Sequence, residues 1–311
     1  MKEPNFFIVG AAKAGTTSLY HYLEQHPEIY MSPIKEPHYF SKDMRCENFS
    51  FELRPNCCSL DMKKYLLKSE LEKRHIAYIE NKSDYLQLFR DVDDEKAIGE
   101  ISSGYLYSHT AANEIYNFNP NAKIVILLRN PSERAFSHWS MAMRIYYDRM
   151  YGKTFYEAVE EDQHTIEKKW GKAHLYIELG MYYEQVKRYL DLFPKEQVLI
   201  LLNEDLKSNS EQLLNKLFAF LEVEPISIDT KKRHNAAELP RHIIVSKMVR
   251  DFQIGRFLPK KLKSKIRKFI YTRENLPTLT FEDREYLSRY FNDDIKKLEK
   301  LIDRDLSGWL V

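Results

Sequence analysis

The tightest constraint on this chain lies near its start, where an apolar run, a glycine-bounded loop and a helical pattern follow one another without a gap. Phe6-Phe7-Ile8-Val9 reads as a buried strand ended by Gly10. Ala11-Ala12-Lys13-Ala14 then leads to Gly15, and over residues 15–26 the side chains of Leu19, Tyr22 and Leu23 fall on one helical face before Pro27 closes the helix. Such an order aims backbone N–H groups and the positive helix end at an anion. Further continuous apolar runs stand at Ala97–Ile101, Lys123–Leu128 and 197–202, with helical stretches near Ala111–Phe118 and 182–193. Short apolar strands alternating with helices predict an α/β fold whose parallel sheet is covered on both faces. In such sheets ligands bind at the carboxyl ends of the strands, so the residues just after each strand are where chemistry is expected.

Composition narrows the choice. The 311 residues carry 48 Lys+Arg against 46 Asp+Glu, a formal net charge of +2, which excludes a uniformly basic nucleic-acid binder. The charge is unevenly spread: residues 231–273 hold 14 Lys+Arg against only Glu238 and Asp251, a basic stripe on an otherwise acidic body. No apolar run approaches the roughly 18 residues of a membrane span. Cys46, Cys57 and Cys58 are the only cysteines, an odd and sparse set that implies neither a disulfide framework nor a metal site and points to a reducing compartment. Met1-Lys2-Glu3-Pro4-Asn5 runs straight into the first strand, leaving no space for a signal peptide, so the expected location is cytoplasmic. Residues 43–96 read as a long insertion of polar helices and loops.

The first loop departs from a metal-dependent NTPase in two places. The residue after its second glycine is Thr16 rather than the Walker lysine, and the strand ending Leu127-Leu128 is followed by Arg129 rather than a metal-binding aspartate. Lys13-Ala14-Gly15-Thr16-Thr17-Ser18 instead resembles the loop that binds the 5′-phosphosulfate of 3′-phosphoadenosine 5′-phosphosulfate (PAPS) in sulfotransferases. After the third strand, Arg129-Asn130-Pro131 leads to Ser137, eight positions on. That segment resembles the family's 3′-phosphate site, in which an arginine and a serine at this spacing bind the phosphate; the planar guanidinium fork suits phosphate oxygens. Lys232-Arg233-His234-Asn235 is similar to the late basic loop that covers the cofactor.

Glu36-Pro37-His38-Tyr39-Phe40 resembles the acceptor-site segment of the heparan-type carbohydrate sulfotransferases. The resemblance implies Glu36 as the base on an acceptor hydroxyl or amine, with His38 as second base or positioning group, because a sugar hydroxyl is a poor nucleophile until its proton is taken. Glu100-Ile101-Ser102-Ser103-Gly104-Tyr105 is similar to the family's next strand end, with Ile101 where several animal members carry an active-site lysine. Glu100 and Tyr105 are therefore candidate acceptor contacts; for Glu100, pairing with a buried arginine stands as an equal alternative.

The resemblance covers about residues 6–235. It implies a P-loop-like three-layer fold in one domain over 1–311, with a basic helical C-terminal region over 236–311. It also implies in-line sulfuryl transfer from PAPS, leaving 3′,5′-adenosine bisphosphate (PAP), with no metal. The basic residues 231–273 are expected either to face solvent or to touch an anionic membrane or a polyanionic substrate. The alternative functions are a nucleotide-dependent kinase and a non-catalytic polyanion- or membrane-binding adaptor.

Overall fold

A computed structural model describes residues 2–49, 58–145, 150, 152–168, 170, 174–231, 239–240, 269, 271–272 and 276–311. Its centre is a five-stranded, wholly parallel sheet. The strands are β1 (Phe6–Gly10), β2 (Ile29–Met31), β5 (Ala97–Ile101), β6 (Lys123–Leu128) and β7 (Val198–Leu202), in the order β2-β5-β1-β6-β7. Phe6, Phe7, Ile8 and Val9 of β1, like Ile124 to Leu128 of β6, are shut off from solvent, as strands covered on both faces should be. The flanking helices include α1 (Thr16–Leu23), α4 (Ala111–Phe118), α5 (Pro131–Ile145), α7 (Tyr182–Leu190) and α9 (Ser210–Leu221). Because β1 lies between β5 and β6, the loops leaving all three strands meet at one edge of the sheet.

Helix α1 ends at Leu23, three residues short of the expected His26. Pro27 disfavours a helical conformation at His26, and the imidazole is spent on the turn: Nε2 meets the Glu224 carbonyl at 2.7 Å and Nδ1 accepts from the Glu28 amide at 3.1 Å. The last long helix, α10 (Phe281–Ile302), opens with a capping box between Thr280 and Asp283. It sinks Leu287, Phe291, Ile295 and Leu298 into the same core as the sheet. Its Asp294 accepts from the Tyr182 and Tyr183 amides at 2.7 and 3.2 Å and so caps α7. Among the described residues no helix is long and apolar enough to cross a membrane.

The stretch expected to be polar insertion holds more order than its composition suggests. A second, two-stranded parallel sheet pairs β3 (Ile34–Glu36) with β4 (Arg74–Ile76), and Ile34 lies opposite Arg74, Glu36 opposite Ile76. Strands of three residues carry too little periodicity to be seen in sequence. The cysteine expectation is corrected: Cys46 and Cys58 form a disulfide across 12 residues. Counting cysteines cannot show which two the fold brings together, and with this bond the cysteine argument for a reducing compartment is lost.

Candidate active site

The loop after β1 is held from two sides. The Ala11 amide donates to the Leu127 carbonyl at 2.6 Å and the Ala14 amide to that of Ala11 at 3.1 Å. Gly15 sits at φ +106°, and a Cβ there would lie 2.7 Å from Asn203 Nδ2, which donates to the Ala14 carbonyl at 2.6 Å. Glycine is thus required twice, for the left-handed backbone and for the close approach. Lys13 also holds a left-handed conformation, φ 71°, a cost of about 1–2 kcal/mol for a residue with a Cβ. Its Nζ reaches Met141 Sδ on α5 at 3.5 Å. Thr16, Thr17 and Ser18 form the first helical turn; the Ser18 amide donates to the Gly15 carbonyl at 3.0 Å, and the amides that open a helix are the ones without an intrahelical acceptor.

Arg129 joins this loop to the end of β6. Its Nη1 donates to the Lys13 carbonyl at 3.3 Å, and its Nη2 donates to Glu133 at 3.1 Å. Glu133 also meets Lys207 at 3.4 Å and Arg284 at 3.5 Å, so three cations crowd one carboxylate and the cluster keeps a positive excess. Ser137 lies one turn past Glu133 on α5 and is half-buried. Lys232 and Arg233 lie outside the described residues.

On the other side of the loop stands Glu36, at the end of β3. Its Oε1 accepts from Lys35 and from Ser103 Oγ at 3.2 Å, while its Oε2 faces His38 Nε2 at 3.6 Å. Burial pushes its proton affinity up, but the Lys35 ammonium and the His38 and His75 imidazoles outweigh burial and hold the carboxyl well below the usual range. It is ionised throughout neutral pH. His38 is fully buried at φ 52°, and its backbone N–H donates to Ser102 Oγ.

Glu100 and Tyr105 lie one layer deeper, with no exposed surface. Glu100 accepts from Tyr85, Ser102 and Tyr105 hydroxyls at 2.8, 2.8 and 3.0 Å, three hydroxyls where one alternative expected an arginine. Burial pushes it up to about 7 against those three bonds. Tyr105 Oη also accepts from the Phe40 amide at 3.2 Å. The pair braces the segment that carries Glu36 and His38 from beneath.

Residues 3–301 match the model of the sulfotransferase domain. The chain belongs to the sulfotransferase family. It is similar to human carbohydrate sulfotransferase 15, at 27% identity over 303 residues covering 80% of this chain and 51% of that protein. It is also similar to human bifunctional heparan sulfate N-deacetylase/N-sulfotransferase 3, at 25% identity covering 99% of this chain and 31% of that protein. The chain therefore spans about half or less of the length of these relatives. Among solved structures, a sulfotransferase from Alicyclobacillus acidocaldarius superposes with a TM-score of 0.69 at 32% identity, covering 99% of both chains.

PAPS is the sulfuryl donor of sulfotransferases, and the geometry fits its two charged ends. The amide-lined loop with Lys13 suits the phosphosulfate end, and the positive excess around Arg129 suits the 3′-phosphate. Several groups at this sulfotransferase site escaped the sequence reading. Asn203, at the end of β7, braces the loop, and the strand-end rule alone could have flagged it. His75, on β4, stands open at the rim yet crowded enough that desolvation lowers its proton affinity; Glu36 pulls it up, while Lys35, Lys13 and His38 push it down. Arg134 and His138 are buried on α5, and burial holds His138 well below its usual value. Nothing in the local sequence marks His75 or His138.

Proposed function

We propose that this sulfotransferase moves the sulfuryl group of PAPS onto a hydroxyl or amine of a carbohydrate by in-line displacement, with Glu36 as base. The observation that carries the reading is convergence. Lys13, Glu36 and Arg129 come from three separate elements, yet Arg129 donates to the Lys13 carbonyl at 3.3 Å and His75 feels the charges of both Lys13 and Glu36. The names of the relatives support a carbohydrate acceptor.

When bound, PAPS supplies a sulfuryl group whose departure leaves PAP. Lys13, with the amides of Gly15, Thr16 and Thr17 and the hydroxyls of Thr16, Thr17 and Ser18, holds the 5′-phosphosulfate end and neutralises charge that grows there, and Ala14 shapes the loop. Arg129 and Ser137 hold the 3′-phosphate, the group that distinguishes this donor from ATP, and Lys232 and Arg233 are assigned to its cover. Glu36 uses Oε2 for the acceptor proton, because Oε1 is engaged by Lys35 and Ser103. His38 orients that oxygen, and Glu100 with Tyr105 supports the acceptor side from below.

Thermal unfolding with PAP, compared with ATP plus Mg²⁺, tests the donor assignment. PAP at ~100 times its dissociation constant adds about 2.7 kcal/mol and raises the midpoint by several degrees. A shift only with ATP and Mg²⁺ identifies a kinase, and no shift with either overturns nucleotide use.

We extend the proposal to residues 231–273, most of which lie outside the described residues. Their positive charge suits an anionic membrane or a polyanionic surface on the acceptor. Replacing Lys260, Lys261, Lys263 and Lys265 together by alanine should weaken retention on anionic vesicles or heparin at low salt; unchanged retention removes the assignment.

A further inference from the structure

We propose that Lys207 and Arg284 complete the site of the donor's 3′-phosphate by offsetting the charge of Glu133, which makes the last long helix, α10, part of the donor site. The inference deepens the donor reading above and rests on its assignment of the 3′-phosphate to Arg129 and Ser137.

A carboxylate stands in the way of that phosphate. Arg129 precedes α5, Glu133 lies in its first turn, and Ser137 follows four residues later on the same helical face. Glu133 Oε2 accepts from Arg129 Nε at 3.3 Å and from Nη2 at 3.1 Å, which fixes the guanidinium along one edge. Nη1 donates to the Lys13 carbonyl at 3.3 Å, so among the described residues one N–H on each of Nη1 and Nη2 is left for a phosphate oxygen. A phosphate shared by Arg129 and Ser137 therefore comes close to Glu133, and like charges repel. At neutral pH it carries nearly two negative charges.

Two side chains from distant parts of the chain meet this carboxylate. Lys207, on α8 (Asn203–Ser208), places Nζ 3.4 Å from Oε2, and Arg284, in the first turn of α10, places Nη2 3.5 Å from Oε1. Both contacts are longer than the roughly 2.7–2.9 Å of a charge-assisted bond, so neither cation is spent on Glu133 alone. Their side chains stay 49% and 32% exposed, open to a ligand lying over Glu133. The other acids beside them have partners of their own. Glu204 accepts from the Asn130 amide at 3.0 Å, Asp205 pairs with Arg304 at 2.9 Å, and Asp283 accepts from the Thr280 amide at 3.0 Å in the cap of α10. Glu282 and Glu285 are exposed, where salt and water screen them. Arg134, next to Glu133 in the chain, donates instead to the Tyr176 carbonyl. Three cations thus touch Glu133 directly, and once one of them is matched to it, two remain for the phosphate.

Affinities of the full chain for PAP and for 5′-AMP, which differ by the 3′-phosphate alone, test this at low salt. Lys207→Gln with Arg284→Gln keeps much of each stem and should weaken PAP about tenfold, each substitution alone about threefold, with 5′-AMP within about twofold of the parent. Adding Glu133→Gln to the pair should recover most of the lost PAP affinity, which a merely structural role for the two cations would not allow. Unchanged PAP affinity, equal loss for both nucleotides, or no recovery with Glu133→Gln overturns the inference. Arg129→Ala separates its failure from that of the donor reading. If Arg129→Ala weakens PAP more than 5′-AMP and the pair does not, only this inference falls; if Arg129→Ala affects both nucleotides alike, the 3′-phosphate lies elsewhere and both fall.

Discussion

Lys13→Ala should lower turnover by about 10²–10³ or more and weaken PAP, whose 5′-phosphate it is proposed to hold, while leaving the melting temperature of the free chain close to that of the parent. The size follows from the removal of a preorganised charge aimed at a transferring group, where single donors contribute about 2.7–4 kcal/mol to the barrier. Folding should survive, because alanine keeps the same Cβ at φ 71° and the loop is fixed through backbone: Asn203 Nδ2 on the Ala14 carbonyl and the Ala11 amide on Leu127. Single-turnover sulfate transfer, with PAP affinity measured separately, checks both halves. Near-parental turnover would take Lys13 out of the chemistry.

Glu36→Gln should cut transfer by about 10²–10⁴, the usual contribution of a positioned base. It should also destabilise the protein, because Lys35 is 3% exposed and would lose the carboxylate it donates to. The double variant Lys35→Met, Glu36→Gln separates the two effects: stability should recover and transfer should not. If transfer returns with stability, Glu36 is a structural counter-ion, and His38 becomes the base. The pH profile adds a sign. Because Glu36 is held below the ordinary carboxylate value, no acid limb from it should appear above about pH 4.5. Glu100 behaves oppositely. Its affinity is pushed up to about 7, so its contribution to stability is complete at acid pH and is lost as pH rises through neutrality.

The segments proposed to hold the donor could be located because they sit at the ends of long, apolar strands. Gly15, Arg129 and Ser137 follow β1 and β6 at fixed offsets, and continuous burial gave those strands an unmistakable pattern. Glu36 and His38 were legible only through a resemblance, since β3 spans three residues. The side proposed to meet the acceptor was less legible. His75 and Trp170 are far apart in the chain, and a three-residue strand places the first and a single backbone bridge to Phe49 the second. Each of those is a long-range pairing with no local signature. The same holds for Cys46 and Cys58, whose spacing says nothing about how the intervening chain turns.

One consequence concerns how such a protein changes over time. The loops assigned to the donor leave the central sheet, so any drift there disturbs its packing. Glu36 belongs instead to the two-stranded pair β3-β4, outside the five-stranded ladder. If Glu36 is the base, the side of the site proposed to meet the acceptor can therefore be remodelled with the central sheet left as it is.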